Sequence, residues 1–365
     1  MNILIITDVD SRKKWANIVV NYFTNYTLTY FDNFINIKII NEFYVIILAL
    51  GGGANYKFLL KFSQYIEENK PKRRPIIITG FNGSTDTDNI HALLCRVGSD
   101  FICLNSKKDY NNFSNHLKKL NFSNHTLTLT GLAKQYNQIE KVEKNKIVFF
   151  AQPDVPKTKR ERVYIVKKLE QLALKYPDKL VYIKPRSKKG SSNITHQEKY
   201  YYQDLLKENS IKNIYLIYDD VEKILLSTNL SITVGSTVAL ESIHCKVNTV
   251  VLSDFGIRQE YGNHHFMGSG CLLSFDDLLS AKKGYVNQVW KENNILIDSK
   301  KFENLVTKVL KKIEQQKNTH EILPLEPLYY NKNNASYFYY NTLRINDCNK
   351  NIWFRFRNLP IFKLN

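Results

Sequence analysis

The sequence predicts an α/β protein of two Rossmann-like domains whose parallel sheets face each other across a cleft. Three observations carry that expectation. Short apolar runs alternate with segments of helical spacing almost from end to end, the pattern of parallel strands joined by crossover helices. A charged segment over residues 135–146 interrupts the alternation, which then restarts. The 365 residues suffice for two cores of ordinary size.

In order, residues 3–7 form a short apolar strand, and 12–23 have helical spacing through Trp15, Ile18, Val19 and Tyr22. A second apolar run over 43–50 ends at Gly51-Gly52-Gly53, ahead of a helix through Phe58, Leu59, Phe62 and Ile66. Residues 75–79 read as a strand broken by Gly80-Phe81-Asn82-Gly83-Ser84, and 101–104 and 127–129 as further strands. The second half begins with a strand at 147–150, a helix over 162–176 and a strand at 180–183. A helix near 200–206, a strand at 214–217 and a helix near 221–227 precede the strand at 230–234. After it come a helix, a strand at 249–252 and an amphipathic helix over 300–316, with Phe302, Leu305, Val306, Val309, Leu310 and Ile313 on one face. The expected division is 1–140 for an acceptor-binding domain and 141–325 for a donor domain. Residues 326–365 form an aromatic, basic tail, read either as packing back on the first domain or as an interfacial membrane anchor.

The hydrophobic fraction of 43% fits a folded chain. A net charge of +18, from 52 Lys and Arg against 34 Asp and Glu, favours acidic partners. Five scattered cysteines (Cys95, Cys103, Cys245, Cys271 and Cys348) contain no CxxC pair, which argues against a disulfide framework or zinc ribbon and fits a reducing compartment. The first eight residues lack a basic region and are too short for a signal peptide, and no apolar run approaches the roughly 20 residues needed to span a bilayer. A cytoplasmic protein is expected, with peripheral contact at the inner face of the membrane. A basic nucleic-acid-binding protein is the alternative from another class. It is disfavoured because Lys and Arg are spread over many helices without a recognition motif.

The stretch Leu230-Ser231-Ile232-Thr233-Val234-Gly235-Ser236-Thr237-Val238-Ala239-Leu240-Glu241 reads as a buried strand that stops at a glycine and opens a helix with two hydroxyl residues. Free backbone N–H groups, hydroxyls and the positive end of a helix dipole then meet at one point, suited to a phosphate. Glu241, just over a turn in, stands where a carboxylate would reach a ribose hydroxyl. The other reading is an ordinary capped helix.

Lys184 and Arg186, in Lys184-Pro185-Arg186-Ser187-Lys188-Lys189, follow a strand and are expected either at the same cleft or in a solvated loop. Thr195-His196-Gln197-Glu198 is expected to open a helix, with Thr195 and Glu198 as a capping box. His196 is then left to donate to a phosphate or leaving group. Asp8 and Asp10 end the first strand, and either a general base for an acceptor hydroxyl or an N-cap by Asp10 or Ser11 accounts for them. The turns Gly51-Gly52-Gly53 and Gly80–Ser84 match neither a P-loop nor a dinucleotide fingerprint, and are read as places where an acceptor approaches the backbone. His264 and His265, placed on an extended segment, are expected to point apart, so no metal site is expected.

Several motifs together resemble a bacterial group of glycosyltransferases: Asp8-Val9-Asp10-Ser11-x-x-Lys14-Trp15, Arg73-Arg74-Pro75, Phe149-Phe150-Ala151-Gln152-Pro153-x-Val155-Pro156, Lys184-x-Arg186, Thr195-His196-x-Glu198 and Ser236-Thr237-x-x-x-Glu241. Leu252-Ser253-Asp254-Phe255-Gly256 and Gly268-Ser269-Gly270-Cys271 complete the match, which runs from Asp8 to about Asp277. That group is similar to the GT-B sialyltransferases. The resemblance implies a GT-B fold and an inverting, metal-independent transfer, without a cofactor, of sialic acid or a related nonulosonic acid. The donor would be a CMP-sugar and the acceptor a hydroxyl of a lipo-oligosaccharide or capsule oligosaccharide. It implies Gln152, Lys184, Arg186, Gly235, Ser236, Thr237 and Glu241 as donor-binding residues, and Asp10, Asp8 and His196 as catalytic ones. The His-Pro motif of those enzymes is replaced here by Lys184-Pro185-Arg186, so another donor, CMP-Kdo or a UDP-sugar, is the alternative.

Overall fold

The computed structural model describes residues 1–32, 37–83, 90–134, 144–190, 198–208, 214–326 and 328. Two six-stranded sheets organise them. The first contains β1 (Asn2–Thr7), β2 (Thr27–Asp32), β3 (Val45–Ala49), β4 (Ile76–Gly80), β5 (Phe101–Leu104) and β6 (Leu127–Leu129). The second contains β7 (Lys146–Phe150), β8 (Leu180–Lys184), β9 (Ile214–Leu216), β10 (Thr228–Thr233), β11 (Asn248–Leu252) and β12 (Leu272–Leu273). Every pairing is parallel, so the predicted α/β class is the observed one.

Helices cover the sheets: α1 (Asp10–Val20), α2 (Gly52–Asn69), α3 (Ile90–Leu94) and α4 (Lys107–Lys119) come from the first half. The second half supplies α5 (Lys159–Lys175), α6 (Tyr202–Glu208), α7 (Val221–Leu226), α8 (Val238–His244), α9 (Phe275–Leu279), α10 (Gln288–Asn294) and α11 (Ser299–Thr319). The central strands are buried on both faces, which is why they read as continuous apolar runs. Ile3, Ile5, Val45 and Ile47 face one core with α1, while Leu4, Ile6, Ile46 and Leu48 face another with Phe58, Leu59 and Phe62 of α2.

Strand order sets where ligands can bind. The first sheet runs β2-β1-β3-β4-β5-β6 and the second β12-β11-β10-β7-β8-β9. In each, the chain leaves two adjacent strands in opposite directions, opening a crevice beyond their carboxyl ends. That switch point lies between β1 and β3 in the first sheet and between β7 and β10 in the second.

Four local readings are corrected. β2 is absent from the sequence reading because Thr27-Leu28-Thr29-Tyr30 is a polar edge strand without an apolar run. Glu198, expected in a capping box, lies ahead of α6, which begins at Tyr202, and pairs with buried Arg162, while residues 195–197 lie outside the described residues. α1 starts at Asp10 behind Val9, which makes no side-chain cap, so neither Asp10 nor Ser11 caps it. His264 and His265 lie in a 3₁₀ turn, Asn263–Phe266, and their rings are tilted by 39° with centroids 3.9 Å apart.

The amphipathic helix α11, assigned by chain order to 141–325, packs instead on the first sheet. Its Phe302, Leu305, Val306, Val309 and Ile313 join Ile3, Ile5 and Trp15. Buried Arg74 clamps the segment after it, donating to the carbonyls of Leu323 and Pro324 at 2.9 Å each and pairing with Asp100 at 2.7 Å. The expected boundary at 140/141 and nearly all of the tail lie outside the described residues. Among the described residues, no helix is long and apolar enough to cross a membrane.

Candidate functional site

The two switch points are built alike. In the second sheet, the Gln152 side chain, just past β7, accepts the Gly235 N–H just past β10 at 3.0 Å. In the first, the Asp8 carboxylate, just past β1, accepts the Gly51 N–H just past β3 at 3.0 Å. Asp8 is also bound by Arg12 at 2.6 Å. Each crevice is thus bridged by one side chain that holds a glycine turn. The crevices meet across the cleft: a Cβ added to Gly83, in the loop after β4, would stand 3.0 Å from Thr237 Oγ1.

At the Gly235-Ser236-Thr237 junction, the N–H groups expected to be free are engaged. Gly235 donates to Gln152, Ser236 to Thr233 Oγ1 at 3.3 Å, and Val238 to Ser236 Oγ at 3.3 Å. Thr233 Oγ1 in turn donates to the Phe150 carbonyl at 2.9 Å, tying β10 to β7. The two 3.3 Å bonds are at the long limit for hydrogen bonds, so an incoming anion would displace little. Glu241 is buried, 3% exposed, and binds Lys134 at 3.1 Å.

Lys184 ends β8 half-buried, its Nζ 2.9 Å from the Pro185 carbonyl. Burial lowers its pKa, opposed by Asp220, while Lys14 of α1 lowers it further. Arg186 is exposed. Asp10 lies exposed in the first turn of α1, where the helix dipole favours an anion. His196 falls outside the described residues.

The floor of the second crevice is the loop after β11. Asn263, fully buried, donates to the Leu252 and Gly256 carbonyls at 3.2 and 2.9 Å and accepts from the Arg258 N–H at 2.8 Å. This pins Tyr261 under the junction, where a Cβ on Gly235 would stand 2.0 Å from the Tyr261 carbonyl oxygen. A Cβ on Gly53, by contrast, meets nothing within 4 Å. Gly235→Ala should therefore cost roughly 1–3 kcal/mol through backbone displacement, while Gly53→Ala should be neutral or stabilising by roughly 0.4–1 kcal/mol. Urea unfolding of both checks this, and equal costs would remove the special role of the Gly235 contact.

Sequence reasoning missed Arg162 and Lys134, whose partners are distant in sequence, and also Arg12, which pairs with Asp8 four residues earlier, and Arg96. Arg162, 1% exposed, donates to the carbonyls of Pro156, Gln152, Pro153 and Tyr200 and pairs with Glu198. It holds the turn that carries Gln152. Among the described residues, no group of three or more His, Cys, Asp or Glu side chains is placed to hold a metal ion.

Among solved structures, MnaA of S. aureus in complex with UDP matches with a TM-score of 0.53 at 13% identity, over 86% of this chain and 97% of that one. A Listeria monocytogenes structure described as a "putative UDP-N-acetylglucosamine 2-epimerase" matches at 0.51 and 10% identity, over 88% and 99%. The pneumococcal O-GlcNAc transferase GtfA, in complex with UDP and GlcNAc, matches at 0.41 and 11% identity, over 76% and 56%. The fold is thus of GT-B type. No curated protein matches the chain by sequence. A family model described as "Putative glycosyltransferase (DUF6716)" matches residues 40–311.

Proposed function

We propose, from the premise that the chain belongs to this DUF6716 glycosyltransferase family, that it transfers a sugar from a nucleotide-sugar to an oligosaccharide hydroxyl in the cleft between its sheets. The observation that carries the proposal is the pair of bridged switch points brought together at Gly83 and Thr237. Ligands of open α/β sheets bind at such points, so two facing ones suit a donor and an acceptor.

The donor nucleotide is assigned to Gln152, Gly235, Ser236 and Thr237. The hydroxyls, the amino end of α8 and the cation of Lys184 would offset the charge that grows on the leaving phosphate. Glu241, paired with Lys134, would reach the ribose. The acceptor oxygen loses its proton to Asp10 and attacks the anomeric carbon as the bond to the nucleotide phosphate breaks, so the nucleotide leaves with that electron pair. Asp8, bound by Arg12 and Gly51, is given a positioning role.

A UDP-sugar is the better-supported donor. Two structures that match with TM-scores above 0.5 are a UDP complex and one described as a "putative UDP-N-acetylglucosamine 2-epimerase". The CMP-sialic acid reading rests on the resemblance alone, without the His-Pro motif.

Thermal shift with UDP, CMP, CDP and GDP tests the assignment. UDP at a hundredfold excess over its Kd should stabilise the fold by about 2.7 kcal/mol, with the other nucleotides weaker. A response to CMP alone would return the donor to a CMP-sugar. Failure of every nucleotide at millimolar concentration would sink the nucleotide-sugar reading, and epimerisation of UDP-GlcNAc without an acceptor would replace transfer.

A further inference from the structure

A pocket of about 370 Å³ opens outside the carboxyl ends of β1, β3 and β4, lined among others by Arg12, Trp15, Gly52, Gly53, Asn82 and Arg96. It occupies the switch point of the first sheet, and its size falls in the range of small-molecule sites. Arg96 is its unusual element. Only 6% exposed, it donates from Nε to the Gly80 carbonyl at 3.1 Å and from Nη1 to the Ala92 carbonyl at 2.6 Å. Its face lies 4.1 Å from the Phe81 ring centroid. Nη2 makes no hydrogen bond among the described residues, and no carboxylate there pairs with the guanidinium. Burial pushes its pKa down to about 10, so it remains a cation at neutral pH. The nearby Asp8 is already bound by Arg12 and Gly51.

A buried cation without a counter-ion is costly. The wall beside it adds positive potential. α2 is 18 residues long, with no acidic residue in its first turn and no side-chain cap from Gly51. The Gly52 and Gly53 N–H groups at its amino end have no acceptor among the described residues, and such donors suit an anion.

We infer that this pocket binds an oxyanion, the phosphate or carboxylate of a charged sugar, between the Arg96 guanidinium and the amino end of α2. That the sugar is the acceptor rests on the function proposed above; the anion site itself does not. The acceptor would then be an acidic or phosphorylated saccharide, held so that its hydroxyl faces Thr237 across the cleft.

The test is thermal shift and calorimetry on the full chain with inorganic phosphate, glucose 6-phosphate, glucuronate and uncharged glucose, at matched ionic strength. At least one charged sugar should bind at least about tenfold tighter than glucose, as expected for a charge-assisted hydrogen bond. Glucose 6-phosphate against glucuronate tells phosphate from carboxylate. Arg96→Lys should weaken the charged sugar about tenfold. Because that variant disturbs a buried group, Gly53→Asp is the second. Its side chain has open space and suits a helix amino end, so stability should hold or rise while charged-sugar binding is lost. UDP binding should survive in Gly53→Asp, and phosphate binding in Ser236→Ala/Thr237→Ala. Charged sugars no tighter than glucose, or binding unchanged by Gly53→Asp, would overturn the site. Anion binding without any nucleotide response would leave it standing while removing the transferase reading.

Discussion

Replacing Arg162 with methionine is expected to cost about 3–5 kcal/mol of folding free energy, the usual result of removing one partner of a buried ion pair. Methionine keeps much of the volume but strands the Glu198 carboxylate and removes the donor from the Pro156, Gln152, Pro153 and Tyr200 carbonyls. Burial already holds the Glu198 pKa above its ordinary value, with Arg162 pulling the other way. Without the guanidinium it moves further up. A carboxyl whose folded pKa is raised binds its proton more tightly when folded, so lowering the pH stabilises the folded variant. The deficit should be largest at neutral pH and shrink as Glu198 is protonated. Urea unfolding across pH measures this, and a loss under about 1 kcal/mol at neutral pH would show that the pair contributes little. Nucleotide affinity should fall as well, because Arg162 anchors the turn that presents Gln152 to Gly235.

Asp10→Asn is expected to lower turnover by about 10²–10⁴-fold, the usual contribution of a general base, while leaving nucleotide affinity and stability near wild type. Asp10 is exposed at the amino end of α1 and caps nothing, so its removal should not disturb the fold. Asp8→Asn should behave differently. It weakens the bridge to Arg12 and the Gly51 N–H, so stability should suffer along with rate. Nucleotide release from the donor in the presence of charged-saccharide acceptors, read beside thermal denaturation, separates the two. Undiminished turnover in Asp10→Asn would remove it as the base and leave Asp8 as the carboxylate to test.

Much of this was legible in the chain because strands buried on both faces must be apolar throughout. The runs at Ile3–Ile6, Val45–Leu48 and Ile147–Phe150 therefore announced themselves, as did the glycine turns after β3, β4 and β10. β2 did not, since a polar edge strand has no such run. The histidine pair was misread because sequence alone does not distinguish a 3₁₀ turn from an extended segment when Gly262 precedes it.

The site divides in the same way. Gln152, Gly235, Ser236 and Thr237 lie in local motifs and were found as residues, but not as a hydrogen-bonded bridge. The pairings of Arg162 with Glu198 and Lys134 with Glu241, and the burial of Arg96, left no local trace. The charges concerned sit in ordinary-looking helices and loops.

The sequence by itself determined the class of fold and the points where strands stop at glycine, because burial and backbone conformation are written in short windows. Only the tertiary structure decided which strands stand next to each other, and hence where the crevices open. It also returned α11 to the first sheet and left Arg96 without a paired carboxylate among the described residues. Those outcomes depend on contacts between residues tens to hundreds of positions apart, and no local pattern encodes the order in which a sheet is assembled.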